Sequence, residues 1–238
     1  MSIDARKKER KRLKRQRKRE QIRREHGGSP YARIARKGEI IECVMNGDWR
    51  ERGQAVALLL LSVPGGGLAL AYFLVDLWCC GLKDAWGNLD VAREQFEDSV
   101  DQYVQRHDMP MEQVDVAELR QVIAGGLRFA VQNGFRLPPH YSRWTNFVGD
   151  LGDWQHHADL TYFGADGKPG KLRYVGPMWD LRNRLVSSTV EVFMARKDVE
   201  VIMDVEDGPS LFDAPYELVN DEAGEDDKDY ADDAEAGA

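Results

Sequence analysis

Cysteine is scarce: the 238 residues hold three, Cys43, Cys79 and Cys80. An odd number without regular spacing excludes a disulfide framework, and adjacent cysteines rarely bridge each other. A reducing compartment, the cytoplasm, is therefore expected. No Cys or His pair has zinc-ligand spacing. Adjacent His156 and His157 are expected to point apart on regular backbone, so neither a metal nor a cofactor is expected. A phosphate-binding glycine loop is also lacking. Pro64-Gly65-Gly66-Gly67 has neither the helix start nor the lysine and hydroxyl that such loops use. No apolar stretch follows the N-terminal charges, so no signal peptide is expected. An unbroken membrane-length run is missing as well. Ala55 to Cys80 comes closest, but Pro64 to Gly67 cuts it into two pieces, and Asp76 sits in the second. A span needs about 20 continuous apolar residues. A buried β-hairpin is the better reading, and no membrane partner is expected.

Charge is plentiful and unevenly placed. Residues 1–25 hold 13 Lys/Arg against 4 Asp/Glu, a net +9, while residues 200–238 hold 15 Asp/Glu and one Lys, a net −14. The remainder carries only −3 of the overall −8. Three regions follow: a basic arm, helical or disordered, over 1–28; a single globular domain over 29–205; and an acidic disordered tail over 206–238. The middle region is long enough for one sizeable core, since a domain near this size buries roughly 70% of its unfolded surface.

Within that region Ile40–Met45 reads as a strand, or as the end of a helix beginning near Tyr31, and Asn46-Gly47-Asp48 as a turn. Ala55–Val63 and Leu68–Trp78 are continuous apolar runs around the glycine turn, as in central strands buried on both faces. Helices are expected over Val91–Gln105 and Val116–Asn133, the second capped by Asp115 and stopped by Asn133-Gly134. Gly125-Gly126 lies inside it, where it allows close packing. A third helix is expected from Pro138 through Val148. A second hairpin is expected from Leu160–Phe163 and Lys171–Val175, then a helix over Asp180–Arg196 and a last strand over Val199–Met203. The fold class is α+β, mixed α/β layers, with a central hairpin-containing sheet packed by helices.

One segment, Phe73-Leu74-Val75-Asp76-Leu77-Trp78-Cys79-Cys80-Gly81-Leu82-Lys83-Asp84-Ala85, resembles a pattern in a family of uncharacterised bacterial proteins. That pattern runs FLVD, two residues, Cys, a hydrophobic residue, Gly, a hydrophobic residue, Lys, Asp. The apolar strand before Pro64, the Gly134-Phe135 to Pro139-His140 link and the Gly167-Lys168 to Gly176-Pro177 segment also look similar. Together they cover Ile40 to Leu185. Cys80 departs from the aliphatic residue of the pattern, and Leu137-Pro138 lengthens the link before His140. The resemblance implies no activity.

The same segment holds the candidate chemistry. Asp76, Cys79, Lys83 and Asp84 sit at the end of an expected central strand, where α/β folds often place sites. On a catalytic reading Asp76 and Asp84 are acid/base groups or metal ligands, Cys79 is a nucleophile, and His140 is its general base. On a structural reading Asp76 and Lys83 form a buried pair, Gly81 makes a tight turn, and Cys79 is a small core side chain.

The arm points to a different function. Its cations are Arg6, Lys7, Lys8, Arg10, Lys11, Arg12, Lys14, Arg15, Arg17, Lys18, Arg19, Arg23 and Arg24. Such density suits a phosphate backbone through counterion release. No aromatic residue is interleaved, so base stacking is not implied and binding is expected to be sequence-independent. The leading expectation is a non-enzymatic protein associated with nucleic acid, RNA or the ribosome more than a specific DNA site, with the tail moderating the arm. A hydrolase or nuclease built on Asp76, Cys79, Lys83 and Asp84 is the alternative. In the tail, Leu211, Phe212, Tyr216 and Leu218 form an apolar patch, which supports a third reading as a protein-interaction adaptor.

Overall fold

The computed structural model describes residues 29–202, apart from 169 and 187. The arm of 1–28 and the tail of 206–238 lie outside the described residues, and so do Leu211, Phe212, Tyr216 and Leu218. The first described element is helix α1 (Pro30–Lys37). The Ser29 hydroxyl accepts a hydrogen bond from the Ala32 N–H at 3.3 Å, and proline takes the first helical position, as helix starts favour. Gly38 closes the helix, and strand β1 (Ile40–Asn46) follows, so both elements weighed for this stretch are present. A short helix α2 (Trp49–Arg52) leads through Gly53 into β2 (Gln54–Ser62).

The two apolar runs are β2 and β3 (Leu68–Asp76), paired antiparallel from Gln54↔Asp76 to Ser62↔Leu68. Their turn needs glycine, because Gly65, Gly66 and Gly67 take φ of 101°, 106° and 91°. Both faces of the hairpin are buried. Ala57, Leu59, Leu61, Ala71, Phe73 and Val75 belong to one core with Leu119, Ile123, Leu127 and Phe129. The alternate residues Leu58, Leu60, Leu70 and Leu74 are buried as well. Tyr72, whose hydroxyl lies 2.8 Å from the Ser99 hydroxyl, ties the second face to a helix. Burial on both faces is why these strands read as continuous apolar runs.

Next comes a strand that the sequence reading lacked. β4 (Gly81–Val91) pairs with β3 from Leu68↔Val91 to Asp76↔Gly81. The expected helices then follow as α3 (Arg93–His107) and α4 (Val116–Gln132), with a short β5 (Met111–Gln113) between them. Asp115 caps α4 as expected, its carboxylate accepting the Ala117 N–H at 2.7 Å. The five strands run in the order β4-β3-β2-β1-β5, every neighbouring pair antiparallel. The α+β class is borne out. The rule placing sites at the carboxyl ends of parallel strands does not apply to this sheet.

The C-terminal third differs more. The expected helix from Pro138 is shorter: α5 (Tyr141–Thr145) runs into a 3-10 turn over Asn146–Val148. A one-turn helix α6 (Trp154–His157) follows. The expected second hairpin does not form. Phe163 turns back to donate its N–H to the Leu160 carbonyl at 2.9 Å, and its ring packs on Phe129 at 5.2 Å. Instead β6 (Leu172–Val175) pairs in parallel with β7 (Val199–Ile202), the expected last strand. Between them the single helix expected over Asp180–Arg196 is divided into α7 (Met178–Arg184) and α8 (Val190–Met194). The break has a tertiary cause: Leu185 adopts an extended conformation and bridges to Phe135, and the Val186 N–H bonds the Gly134 carbonyl at 3.0 Å.

Gly126 and Gly81 let α4 rest directly on the start of β4. A Cβ on Gly126 would stand 2.9 Å from Val75 Cγ1 and 3.0 Å from the Leu82 nitrogen. A Cβ on Gly81, which has φ of 68°, would collide with the Gly126 carbonyl. Gly81→Ala is expected to lower unfolding free energy by about 2–4 kcal/mol, through steric conflict and backbone strain. Urea denaturation measures this. A change below about 0.5 kcal/mol, typical of an unconstrained surface position, would contradict the close approach.

Candidate functional site

Asp76 ends β3, and Leu77 to Cys80 turn the chain before Gly81 opens β4. The Asp76 carboxylate folds over this turn. Its Oδ1 accepts the N–H groups of Trp78 and Cys79, both at 3.0 Å, and Oδ2 accepts that of Cys80 at 3.2 Å. Aspartate suits such a turn because its short side chain reaches backbone donors a few residues on. Asp76 and Lys83 are each 6% exposed. Burial pushes the Asp76 carboxyl above its usual range, although the Lys83 charge and the three N–H donors draw it partway back.

Lys83 also faces Asp180 on α7, with Nζ 3.4 Å from Oδ2. The same carboxylate accepts the Arg184 Nε–H at 2.9 Å and the Tyr174 hydroxyl at 3.1 Å. Arg184 donates a further bond to the Lys83 carbonyl at 2.8 Å. Burial pushes the Asp180 carboxyl up, but Lys83, Arg184 and Tyr174 outweigh it and hold the group below its ordinary value. Asp84 is half-buried beside this group, and its Oδ1 accepts the Ala85 N–H at 2.8 Å. Burial raises its carboxyl, against the pull of the Ala85 N–H, Arg184 and Lys83.

Asp76, Cys79, Lys83 and Asp84 are thus brought together, as the sequence suggested, but as a packed joint. Cys79 is 0% exposed. Burial, followed by the adjacent Cys80 and Asp76, pushes its thiol well up, with Lys83 offsetting only part. A thiol reacts as its thiolate, so this setting suits a small core side chain rather than a nucleophile. Cys43 is buried too, and its thiol is pushed up to about 12. All three cysteines are free.

His140 is exposed, unlike the sealed Cys79, and takes the N-cap position of α5 with φ of 56°, on a helix whose Trp144 packs against Tyr31 of α1. His156 and His157 were expected to diverge. Instead both reach Asp153, His156 Nδ1 at 2.9 Å and His157 Nε2 at 3.7 Å, because the single turn of α6 folds back over its capping residue. Among the described residues no group of three or more His, Cys, Asp or Glu side chains is placed to hold a metal ion. No helix among them is long and apolar enough to cross a membrane.

The sequence reading missed Asp180, Arg184 and Tyr174. The first two carried a signal, an acid and a base at i, i+4 in a helical stretch. Their meeting with Lys83 carried none. No family model, curated protein or solved structure matches the chain.

Removing Asp180 takes away the carboxylate that faces both Lys83 and Arg184. Breaking a buried ion pair from one side costs about 3–5 kcal/mol. Asp180→Ala is therefore expected to lose about that much stability at neutral pH relative to the parent. Asp180 is held below its unfolded value of 3.8, so its contribution is complete above that pH and is lost as pH falls below it. Asp76 titrates in both the parent and Asp180→Ala, so the difference between them reports Asp180 together with its effect on Asp84. Urea midpoints should diverge at pH 7 and converge toward pH 2; a gap independent of pH would contradict the assignment.

Proposed function

We propose that this protein binds nucleic acid without catalysing a reaction, its N-terminal arm contacting phosphates in a sequence-independent way. RNA is the favoured target, free or in the ribosome. The observation that carries the reading is the +9 charge compressed into residues 1–25. The arm leads into a helix that is itself seated on the domain, since Ile34 of α1 is 1% exposed. The acidic tail, −12 over residues 206–238, tempers the arm's attraction for phosphate through its opposite charge.

Two further considerations favour binding over catalysis. The best candidate nucleophile, Cys79, is sealed from solvent with its thiol pushed up. The carboxylates beside it are engaged in holding a turn and an ion group. Three free buried cysteines fit residence in a reducing cytoplasm.

The test is the affinity for single-stranded RNA as a function of salt, for the full chain and for one lacking residues 1–26. Each phosphate neutralised contributes about 0.7 to the slope of log K against log salt. Removal of the arm should flatten that slope by several units and weaken binding at low salt. Unchanged affinity and slope would sink the proposal.

A further inference from the structure

We infer that the outward face of helix α1 is an ordered phosphate-contacting ridge, which carries the arm's binding surface onto the folded domain. The inference rests on the nucleic-acid reading above and narrows it to Arg33, Arg36 and Lys37.

The helix is divided lengthwise. Tyr31, Ile34 and Ala35, at i, i+3 and i+4, face the core. Arg33, Arg36 and Lys37 repeat the same spacing on the other side and are exposed. Residues so spaced share one helix face. The inner stripe is held firmly. The Tyr31 ring meets Trp144 edge-on at 5.1 Å and stacks with Phe147 at 6.3 Å. At the far end Gly38 donates to the Ile34 carbonyl at 2.6 Å, and a Cβ on it would stand 2.7 Å from the Ser62 carbonyl of β2. The outer stripe is therefore presented by a fixed support.

Arg143 of α5 stacks on Tyr31, its guanidinium 4.5 Å from the ring centre, and so sits with the inner stripe rather than on the ridge. Arg33 and Lys37 stand about 6 Å apart along the axis, one helical turn, a step that neighbouring phosphates of one strand can match.

Two features favour phosphate over ordinary helix stabilisation. Cations in the last turn, Arg36 and Lys37, complement the helix dipole whatever the function. Arg33 lies upstream of that turn and gains little there. The first turn has no acidic residue, although acids there stabilise a helix. The positive helix end thus adds to the field of the arm, which joins the helix at Ser29. The one exposed apolar residue of α1 is Pro30 at its first position, with none among Arg33, Arg36 and Lys37, and bilayer insertion would require a larger apolar face.

The test keeps the full chain. Arg33→Gln, Arg36→Gln and Lys37→Gln are combined in one variant. Arg15→Gln, Arg17→Gln, Lys18→Gln and Arg19→Gln form a parallel variant that weakens the arm. Binding to a uridine-only single-stranded RNA and to duplex DNA is measured against salt, with thermal melts as the check on folding. The ridge variant should melt near the parent and lose about 2 from the single-strand slope, and about 3 from the duplex slope. The charge-keeping variant Arg33→Lys, Arg36→Lys, Lys37→Arg should retain most of the slope. An unchanged slope in the ridge variant beside a flattened one in the arm variant would overturn the ridge and leave the arm reading standing. Unchanged slopes in both would overturn both readings. Loss of binding to phosphatidylglycerol vesicles with RNA binding intact would overturn the ridge in favour of a lipid surface.

Discussion

A single carboxylate organises the end of the sheet. Asp76 accepts three consecutive backbone N–H groups and so fixes the turn from β3 into β4. A buried carboxylate without such donors would be costly, whereas one that accepts several is a strong conformational lock. The fixed turn then serves as a dock. Its Leu77 N–H bonds the Gly53 carbonyl at 2.8 Å, its Leu77 carbonyl accepts the Gly164 N–H at 2.7 Å, and its Trp78 carbonyl accepts the Arg173 N–H at 3.0 Å. The start of β4 lies under Gly126 of α4, and Lys83 reaches the Asp180–Arg184 pair on α7. Elements from the first quarter of the chain to the last quarter meet at this point.

That role accounts for residue types that resemble catalytic machinery. Carboxylates, a lysine and a cysteine crowd together in active sites because their protonation must be tuned, and burial does the same tuning here. The difference lies in what the groups face. Asp76 faces its own backbone, Lys83 and Asp180 face each other, and Cys79 has no surface in water. The strongest charges of the sequence lie elsewhere along the chain, +9 over residues 1–25 and −14 over residues 200–238.

Where local pattern and tertiary outcome agree, the sequence was readable. The hairpin of β2 and β3 announced itself through two apolar runs around a glycine turn, and Asp115 marked the start of α4. The close approach of α4 followed from Gly125-Gly126. β4 was hidden because Lys83 and Asp84 interrupt its apolar character, and the partner that makes Lys83 tolerable, Asp180, lies far along the chain. β6 was drawn toward a false hairpin by the glycine-rich loop before it, while its real partner, β7, lies beyond two helices. The Asp76 cluster was legible as a grouping, but its burial was not. Exposure depends on what packs over a segment, and α7 is placed by Leu185 pairing with Phe135.

The central claim is that the Asp76 to Gly81 turn is a closed structural joint. Native-state hydrogen exchange of the Trp78, Cys79 and Cys80 amides tests it most directly. If the joint is closed, these amides exchange only when the whole domain unfolds, with an opening free energy equal to that from urea denaturation. Fast exchange at these three amides, while the β2–β3 amides stay protected, would show a turn that opens in the native state and would contradict the account.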